Sequence, residues 1–461
     1  MWMFSVPLVA ALTLLAVAYT AFRASQTART PQGAVGWVVF LVALPFVAVP
    51  AYYVFGYARI SRFRDRWKVV RVSPETWSRP QGLPKSSAAS ERLAPFTAIG
   101  GGPVVAGCGR TVLRDSEETY DPIFDAIAEA RHYVLVQFYI IRDDETGRRL
   151  HAALCDAVAR GVRVHLLYDP LGCLLLTRRY RRTLAEAGVQ MYPTRGPSRL
   201  LGRFALNYRN HRKCVVVDGR TGFTGGLNVA NEYAGAWRDT HIRLTGPVVS
   251  QLQAIFADDW AMQAHEQLDG LLWDTDHDSQ GTHALMIGSG PIDGHEIGTL
   301  YFTALCQVAR RRLWLTTPYF VPTADLLSAL KLAALRGVEI RILVPHVYDK
   351  LTPWIAAFAY FDEVRDAGVQ ILRYTPCFMH QKVALVDDDI VSIGTLNMDI
   401  RSCILNFEET AVFYGEDQAR EVEEMLRQDM EHAYVMTNRL DEQPLWLRVA
   451  APVFKLLAPL L

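Results

Sequence analysis

The chain has 461 residues, 50% apolar and 21% charged, enough for about two to four domains with a large buried core, which excludes a disordered chain. Its 48 basic and 48 acidic residues cancel, which excludes a uniformly basic nucleic-acid coat and a polyanionic tail. The seven cysteines (108, 155, 173, 214, 306, 377 and 403) are odd in number and form no C-x-x-C pair. Neither a disulfide framework nor a cysteine zinc site is expected, and a reducing compartment fits.

Residues 1–22 and 30–58 carry no charged side chain. Spans at about 4–22 and 34–56 are each long enough to cross a hydrocarbon core of roughly 30 Å as a helix. Pro45 and Pro50 are expected to kink the second span without forbidding it. No basic residue precedes the first apolar run, and a second follows at once, which argues against a cleaved signal peptide. After the second span come Arg59, Arg62, Arg64, Arg66, Lys68 and Arg71 against one Asp65, so the positive-inside rule puts this flank in the cytoplasm. Residues 1–72 thus read as a two-helix transmembrane hairpin with a basic flank. The N-terminus and everything after Arg71 are expected in the cytosol. The flank also suits anionic headgroups.

Residues 73–104, rich in Pro, Gly, Ser and Ala, read as a linker. From Val105 the texture is α/β. Helical stretches (124–130, 150–159, 326–335, 421–434) alternate with β-branched or aromatic runs (133–141, 162–168, 313–316, 338–344). The halves echo each other: HYVLVQFYII at 132 and RLWLTTPYFV at 312, ARGVRVHLLYD at 159 and LRGVEIRILVP at 335, AEAGVQMYP at 185 and VRDAGVQILRY at 364. Two α/β domains, 105–278 and 279–461, are therefore expected to pack with pseudo-twofold symmetry around a shared site.

The repeat peaks at two segments. His211-x-Lys213-x4-Asp218 continues to Gly225 and Asn228, and His380-x-Lys382-x4-Asp387 continues to Gly394 and Asn397. Every matched position differs by 169 (380−211, 382−213, 387−218, 394−225, 397−228), and the same offset carries Asp239 to Glu408, 28 residues after each histidine. The valine-rich runs read as strands, so His and Lys, two apart, share a face. Two imidazoles, two ammonium groups and two amides converging on one point suit a phosphodiester. One imidazole can attack phosphorus and the other protonate the leaving oxygen, while lysines and amides stabilise phosphoryl oxygens. Gly225 and Gly394 are expected to let the backbone approach the ligand. Asp239 and Glu408 are expected to fix imidazole tautomer and orientation. Asp218 and Asp387 lie on the opposite strand parity and are expected to support the motif through hydrogen bonds. No metal or other cofactor is called for, because lysines neutralise the charge.

These paired motifs resemble those of the phospholipase D superfamily. With the N-terminal apolar pair and the strings YIIRDDETGRRL, NHRKCVVVDG, FTGGLNVANEY, WRDTHIRLTGP and GTLNMDIRSCILNFE, the chain is similar to the bacterial cardiolipin synthases over nearly its whole length. The resemblance implies a duplicated phospholipase D-like fold with one active site between halves. It implies transfer of a phosphatidyl group from one phosphatidylglycerol to another through a phosphatidyl-histidine, giving cardiolipin and glycerol at the cell membrane. It also implies one of His211 and His380 as nucleophile and the other as acid and then base, with His211 the favoured nucleophile although the near-symmetry of the motifs leaves the choice open, and Lys213, Lys382, Asn228 and Asn397 as phosphoryl ligands. Thr395 stands where the family often has serine, and keeps the hydroxyl.

Other features have plainer readings. His241 reads as a satisfied structural histidine, and Asp387-Asp388-Asp389 as a polar turn. Arg178, Arg179, Arg181 and Arg182 suit a solvated helix face as well as anionic lipid. Arg199–Leu206 suits a lipid headgroup or ordinary loop packing. Trp354, Phe358, Tyr360 and Phe361 fit a core helix. The tail 445–461 reads as an interfacial helix or as one packed on the catalytic domain. The competing functions are a phospholipase D that hands the phosphatidyl group to water, or a phosphatidyltransferase using another lipid alcohol. A nuclease fits poorly with two spans and a balanced charge. A non-catalytic scaffold fits poorly with two complete motifs.

Overall fold

The computed structural model describes residues 2–28, 30–56, 87–100, 102–194, 208–273, 281–293 and 295–458. It divides into two compact units, residues 1–71 with 195–208, and 72–194 with 209–461. The basic flank, the segment 199–206 and residues 73–86 lie outside the described residues.

In the first unit, α1 (Trp2–Thr27) contains the one helix segment among the described residues long and apolar enough to cross a membrane, Pro7–Thr27. The expected second span is not one helix. It breaks at Leu44 (φ −138°, ψ 63°) into α2 (Pro31–Ala43) and α3 (Pro45–Phe55). The ring of Pro45 pushes the residue before it out of the helical region, and Leu44 obeys. At 13 and 11 residues the pieces are about 20 and 16 Å long at 1.5 Å per residue, short of a full crossing. They double back. Trp37 on α2 meets Tyr52 on α3 with ring centroids 5.2 Å apart, and the Tyr52 hydroxyl lies 2.9 Å from that of Thr27 at the end of α1.

The second unit is built on two similar sets of strands and helices. The first set has β1 (Val105–Arg114), β2 (Tyr133–Phe138), β3 (Arg163–Tyr168), β4 (Gln190–Pro193), β5 (Arg209–Asn210), β6 (Cys214–Val217), β7 (Thr221–Gly225), β8 (Trp237–Arg238) and β9 (Thr240–Thr245). The second has β10 (Thr282–Ser289), β11 (Arg312–Thr316), β12 (Phe320–Val321), β13 (Glu339–Pro345), β14 (Gln370–Tyr374), β15 (Phe378–Met379), β16 (Val383–Val386), β17 (Ile390–Gly394), β18 (Met398–Asp399), β19 (Asn406–Tyr414) and β20 (Ala433–Val435). Hydrogen-bonded neighbours run β20-β14-β13-β11-β16-β17-β19-β10-β1-β9-β7-β6-β2-β3-β4. Apart from the extra edge strand β20, the order reads the same outward from the antiparallel β1–β10 pair, so that pair marks the pseudo-twofold axis.

The strands partition the core by their period of two. On β2, Tyr133 and Leu135 face one apolar layer and Val134, Val136 and Phe138 the other. The first of these layers holds Leu252, Phe256 and Trp260 of one helix (Val248–Ala264) and Val422, Met425 and Leu426 of another (Glu416–Glu431), so it runs through both halves.

The expected linker is in part a structural element. Residues 88–100 form a helix that buries Leu93 and Phe96 in the core of the second half, and Arg92 reaches Asp387 (2.6 Å) and Asp389 (2.8 Å). Its composition hid this, because alanine and one proline serve a helix as well as a connector. Phe358, Tyr360 and Phe361 are buried in the helix Leu351–Arg365. The last helix, Leu445–Leu456, packs on that one through Leu447 and Ala451 and leaves Leu445, Trp446, Val449 and Val453 exposed.

Candidate active site

Two short strand pairs carry the histidines across the axis. β5, just before His211, pairs in parallel with the start of β19 (Arg209 with Asn406), and β15, just before His380, pairs in parallel with β8 (Phe378 with Trp237). The registers are related by the same offset of 169, since 378−209 and 406−237 are equal. The His211 amide donates to the Phe407 carbonyl (2.9 Å), and the His380 amide to that of Arg238 (2.7 Å).

The carboxylates are therefore exchanged. Each histidine meets the acid of the opposite half, not the one 28 residues after it. His211 Nδ1 lies 2.9 Å from Glu408 Oε2, and His380 Nδ1 lies 2.7 Å from Asp239 Oδ2. An ionised carboxylate only accepts, so Nδ1 carries the proton and Nε2 keeps its lone pair. Glu408 also accepts from the Thr395 hydroxyl (2.6 Å) and the Asn406 amide (3.0 Å). Burial opposes its charge, but His211, Lys213 and Thr395 outweigh that and hold it below the usual carboxylate range. Burial raises the Asp239 carboxyl against the pull of Lys382.

Lys213 and Lys382 are buried, and each ammonium donates to the carbonyl of its own motif's histidine, Lys213 Nζ at 2.6 Å from His211 O. Burial lowers Lys213 to about 7 and Lys382 to about 8. Burial also lowers His211 to about 4, and takes His380 well below its ordinary value with both lysines and His211 adding to the effect. The two His–Lys sets thus share one electrostatic site, in which the imidazoles rest neutral while the lysines lose their protons only around pH 7 to 8. Among the described residues no three His, Cys, Asp or Glu side chains gather as a metal cluster would require.

The remaining motif residues have other surroundings. Asn228 Oδ1 accepts the Ile140 amide (3.0 Å), and its NH2 donates to the Tyr233 hydroxyl (2.7 Å), leaving one N–H of the amide to spare. Asn397 is buried with an unpaired Oδ1. Gly225 and Gly394 correct the expectation of backbone approach to a ligand. A Cβ on Gly225 (φ +152°) would meet His241 at 2.6 Å, and one on Gly394 would meet the Glu409 carbonyl at 2.4 Å. Glycine is required there by the neighbouring strands β9 and β19. Asp218 and Asp387 sit at the turns after β6 and β16, with φ of 51° and 50°. Asp218 accepts the amides of Arg131, His132 and Tyr133, each at 2.8 Å, and Asp387 those of residues 310–312 as well as Arg92. They anchor the entries to β2 and β11. His241 is buried with neither ring nitrogen hydrogen-bonded, so it is not the satisfied histidine expected; burial lowers it to about 3 and keeps it neutral beside Gly225.

The sequence reading missed the rings around the imidazoles. Tyr139 meets His211 edge-on at 5.0 Å between centroids, while Trp237 (5.2 Å), Tyr233 (5.8 Å) and Phe378 (6.0 Å) surround His380. The echo of Tyr139 by Tyr319 in the first repeated string was the available signal for one of them.

Comparison with known proteins agrees with this geometry. The family described as "Cardiolipin synthase, PLD-like domain" matches residues 123–260 and 303–430, and the one described as "Phospholipase D-nuclease N-terminal" matches 11–56. "Cardiolipin synthase A" of Pseudomonas fluorescens (strain SBW25) is 39% identical, with 96% of this chain and 95% of the relative covered. The protein of the same name from Pseudomonas aeruginosa (strain LESB58) is 39% identical, with 90% and 88% covered. Among solved structures, phosphatidylserine synthase of Haemophilus influenzae shares the fold with a TM-score of 0.62 at 15% identity, covering 80% of this chain and all of that one. Polyphosphate kinase of Porphyromonas gingivalis does so with a TM-score of 0.51 at 12% identity, covering 82% and 56%.

Proposed function

The chain belongs to the cardiolipin synthase family of the phospholipase D superfamily, a group of phosphatidyltransferases, and from that premise we propose that it joins two phosphatidylglycerols into cardiolipin and free glycerol. The observation that carries this reading is the exchange of carboxylates, which brings both His–Lys sets to one site.

The bound phosphodiester adds negative charge beside Lys213, Lys382 and the imidazoles and raises their affinity for protons. His211 Nε2 attacks phosphorus, forming a P–N bond as the P–O bond to glycerol breaks. His380, protonated as substrate binds, gives its proton to the departing oxygen. The primary hydroxyl of the second phosphatidylglycerol then yields its proton to His380 and attacks phosphorus, and the P–N bond breaks. Lys213, Lys382, Asn228 and Asn397 stabilise the phosphoryl oxygens as charge builds. The assignment of His211 as nucleophile is supported by Glu408, whose three donors favour the ionised form that keeps the imidazole proton on Nδ1.

The test is product analysis with purified full-length protein and phosphatidylglycerol as the only lipid alcohol. Cardiolipin and glycerol are expected in equal amounts; phosphatidic acid without cardiolipin would show a hydrolase. In the same assay KM is expected to rise with pH above about 7. The lysines, at about 7 and 8 without substrate, must be protonated to bind it, and higher pH opposes that uptake. A KM that stays constant from pH 7 to 9 would contradict the role given to them.

We also propose that the second unit is cytoplasmic, with phosphatidylglycerol and cardiolipin reaching it from the membrane. The basic residues 59–71 support this. A single crossing by α1, with α2 and α3 doubled back, puts Arg23 and Arg29 on the same side, whereas two crossings would put them outside. A cysteine added ahead of Met1, with no other thiol accessible, should then react with an impermeant maleimide in intact cells. Protection of that thiol would favour two crossings.

A further inference from the structure

Between each histidine and lysine lies one residue whose side chain points away from the site, Arg212 in one motif and Gln381 in the other. Each is met by an aspartate on the long helix that closes its half. Asp259 Oδ1 accepts from Arg212 Nη1 (2.5 Å), and Asp429 Oδ2 from Gln381 Nε2 (3.0 Å). The aspartates are related by nearly the repeat offset (429−259 is 170), and both are buried.

Each aspartate does more than hold that one residue. Asp259 also accepts from the Asn210 amide (2.6 Å), so it grips both neighbours of His211. Arg212 in turn donates from Nε to the carbonyl of Glu408 (3.1 Å), the residue whose carboxylate meets His211. On the other side Asp429 takes Arg238 in a two-pronged contact (2.7 and 3.0 Å). Arg238 donates from Nη1 to the carbonyl of Asp239 (2.7 Å), whose carboxylate meets His380, and its own carbonyl accepts the His380 amide (2.7 Å). The two arrangements are not copies. The arginine comes from the histidine segment in one case and from the carboxylate strand in the other, where the matched residue is Phe407. The same result is reached from inequivalent positions: a buried Asp–Arg pair ties the backbone on both sides of an imidazole–carboxylate contact that spans the two halves.

We propose that Asp259 and Asp429 are paired positioning residues, each setting one catalytic imidazole against the carboxylate of the opposite half. Neither touches substrate. The inference rests on the reading of His211 and His380 as the reacting groups, and goes beyond it by naming what fixes them.

The test compares Asp259→Asn and Asp429→Asn with His211→Ala and His380→Ala in the full-length protein reconstituted with phosphatidylglycerol. Each aspartate variant is expected to lose about 10- to 100-fold in kcat with KM within about twofold, since a small displacement at a reacting group lowers rate more than binding. Asp259→Asn leaves the buried Arg212 without its counter-charge and so threatens the fold. The double variant R212M/D259N removes both charges together, a loss that buried ion pairs tolerate, and keeps an oxygen to accept from Asn210 and Gln137, so it should fold yet show the same fall in kcat. Wild-type kcat in that folded double variant and in Asp429→Asn, beside inactive histidine variants, would overturn the positioning role alone. Activity in the histidine variants would overturn the reading beneath it as well.

Discussion

Alanine at His211 or at His380 is expected to lower cardiolipin formation by about 10⁴-fold or more while the protein still accumulates in membranes. Loss of a nucleophile, or of the group that serves it as acid and base, costs on this scale when the two act as a unit. Neither imidazole has a substitute in place. Lys213 and Lys382 are assigned to the phosphoryl oxygens, Tyr139, Tyr233, Trp237 and Phe378 pack on the imidazoles, and the buried His241 is neutral and wedged beside Gly225. The two variants should differ with a phosphatidyl ester of p-nitrophenol, whose leaving group needs no proton. His380→Ala should release one equivalent of nitrophenol and stop at the phosphatidyl-enzyme. His211→Ala should release none. Unchanged cardiolipin synthesis by either variant would remove that histidine from the reaction.

The second large effect is expected at the carboxylates. Asp239→Asn and Glu408→Gln should each lower turnover by about 10³- to 10⁴-fold, the scale seen when a buried acid that sets an imidazole's tautomer becomes an amide. An amide can donate to Nδ1 and so favours the tautomer with its proton on Nε2, where the lone pair is needed. The Glu408 variant carries an added penalty, because Thr395 and Asn406 donate to different oxygens of that carboxylate, so either orientation of the amide sets its NH2 against one of these donors. Turnover within tenfold of wild type in both variants would show that the carboxylates do no more than fill space.

Much of this was legible in the chain because the duplication kept its register without a gap from His211 to Glu408's counterpart. His-x-Lys on a valine-rich strand gives both residues to one face, and the pseudo-twofold order of the sheet follows from two copies of one unit. The exchange of carboxylates was not legible. Sequence spacing sets Asp239 beside His211, but β5 pairs with β19 and β15 with β8, and only that pairing decides which acid each ring meets. The glycines misled for a related reason: a residue without Cβ signals close approach, and the approaching atoms belong to the next strand. Asp259 and Asp429 escaped notice because each sits on a helix far along the chain from the motif it steadies. In the N-terminal unit, hydropathy found the apolar stretches, and Pro45 turned the second one back on itself.

The exchange itself is tested most directly by pre-steady-state release of p-nitrophenol from the phosphatidyl ester in the two carboxylate variants. If His211 attacks and is held by Glu408 from the other half, Glu408→Gln abolishes the burst, whereas Asp239→Asn keeps a full burst and loses only the later transfer to phosphatidylglycerol. The opposite assignment, a lost burst in Asp239→Asn and an intact one in Glu408→Gln while His211→Ala remains burst-less, would mean that each imidazole works with the acid of its own half, and would contradict the account.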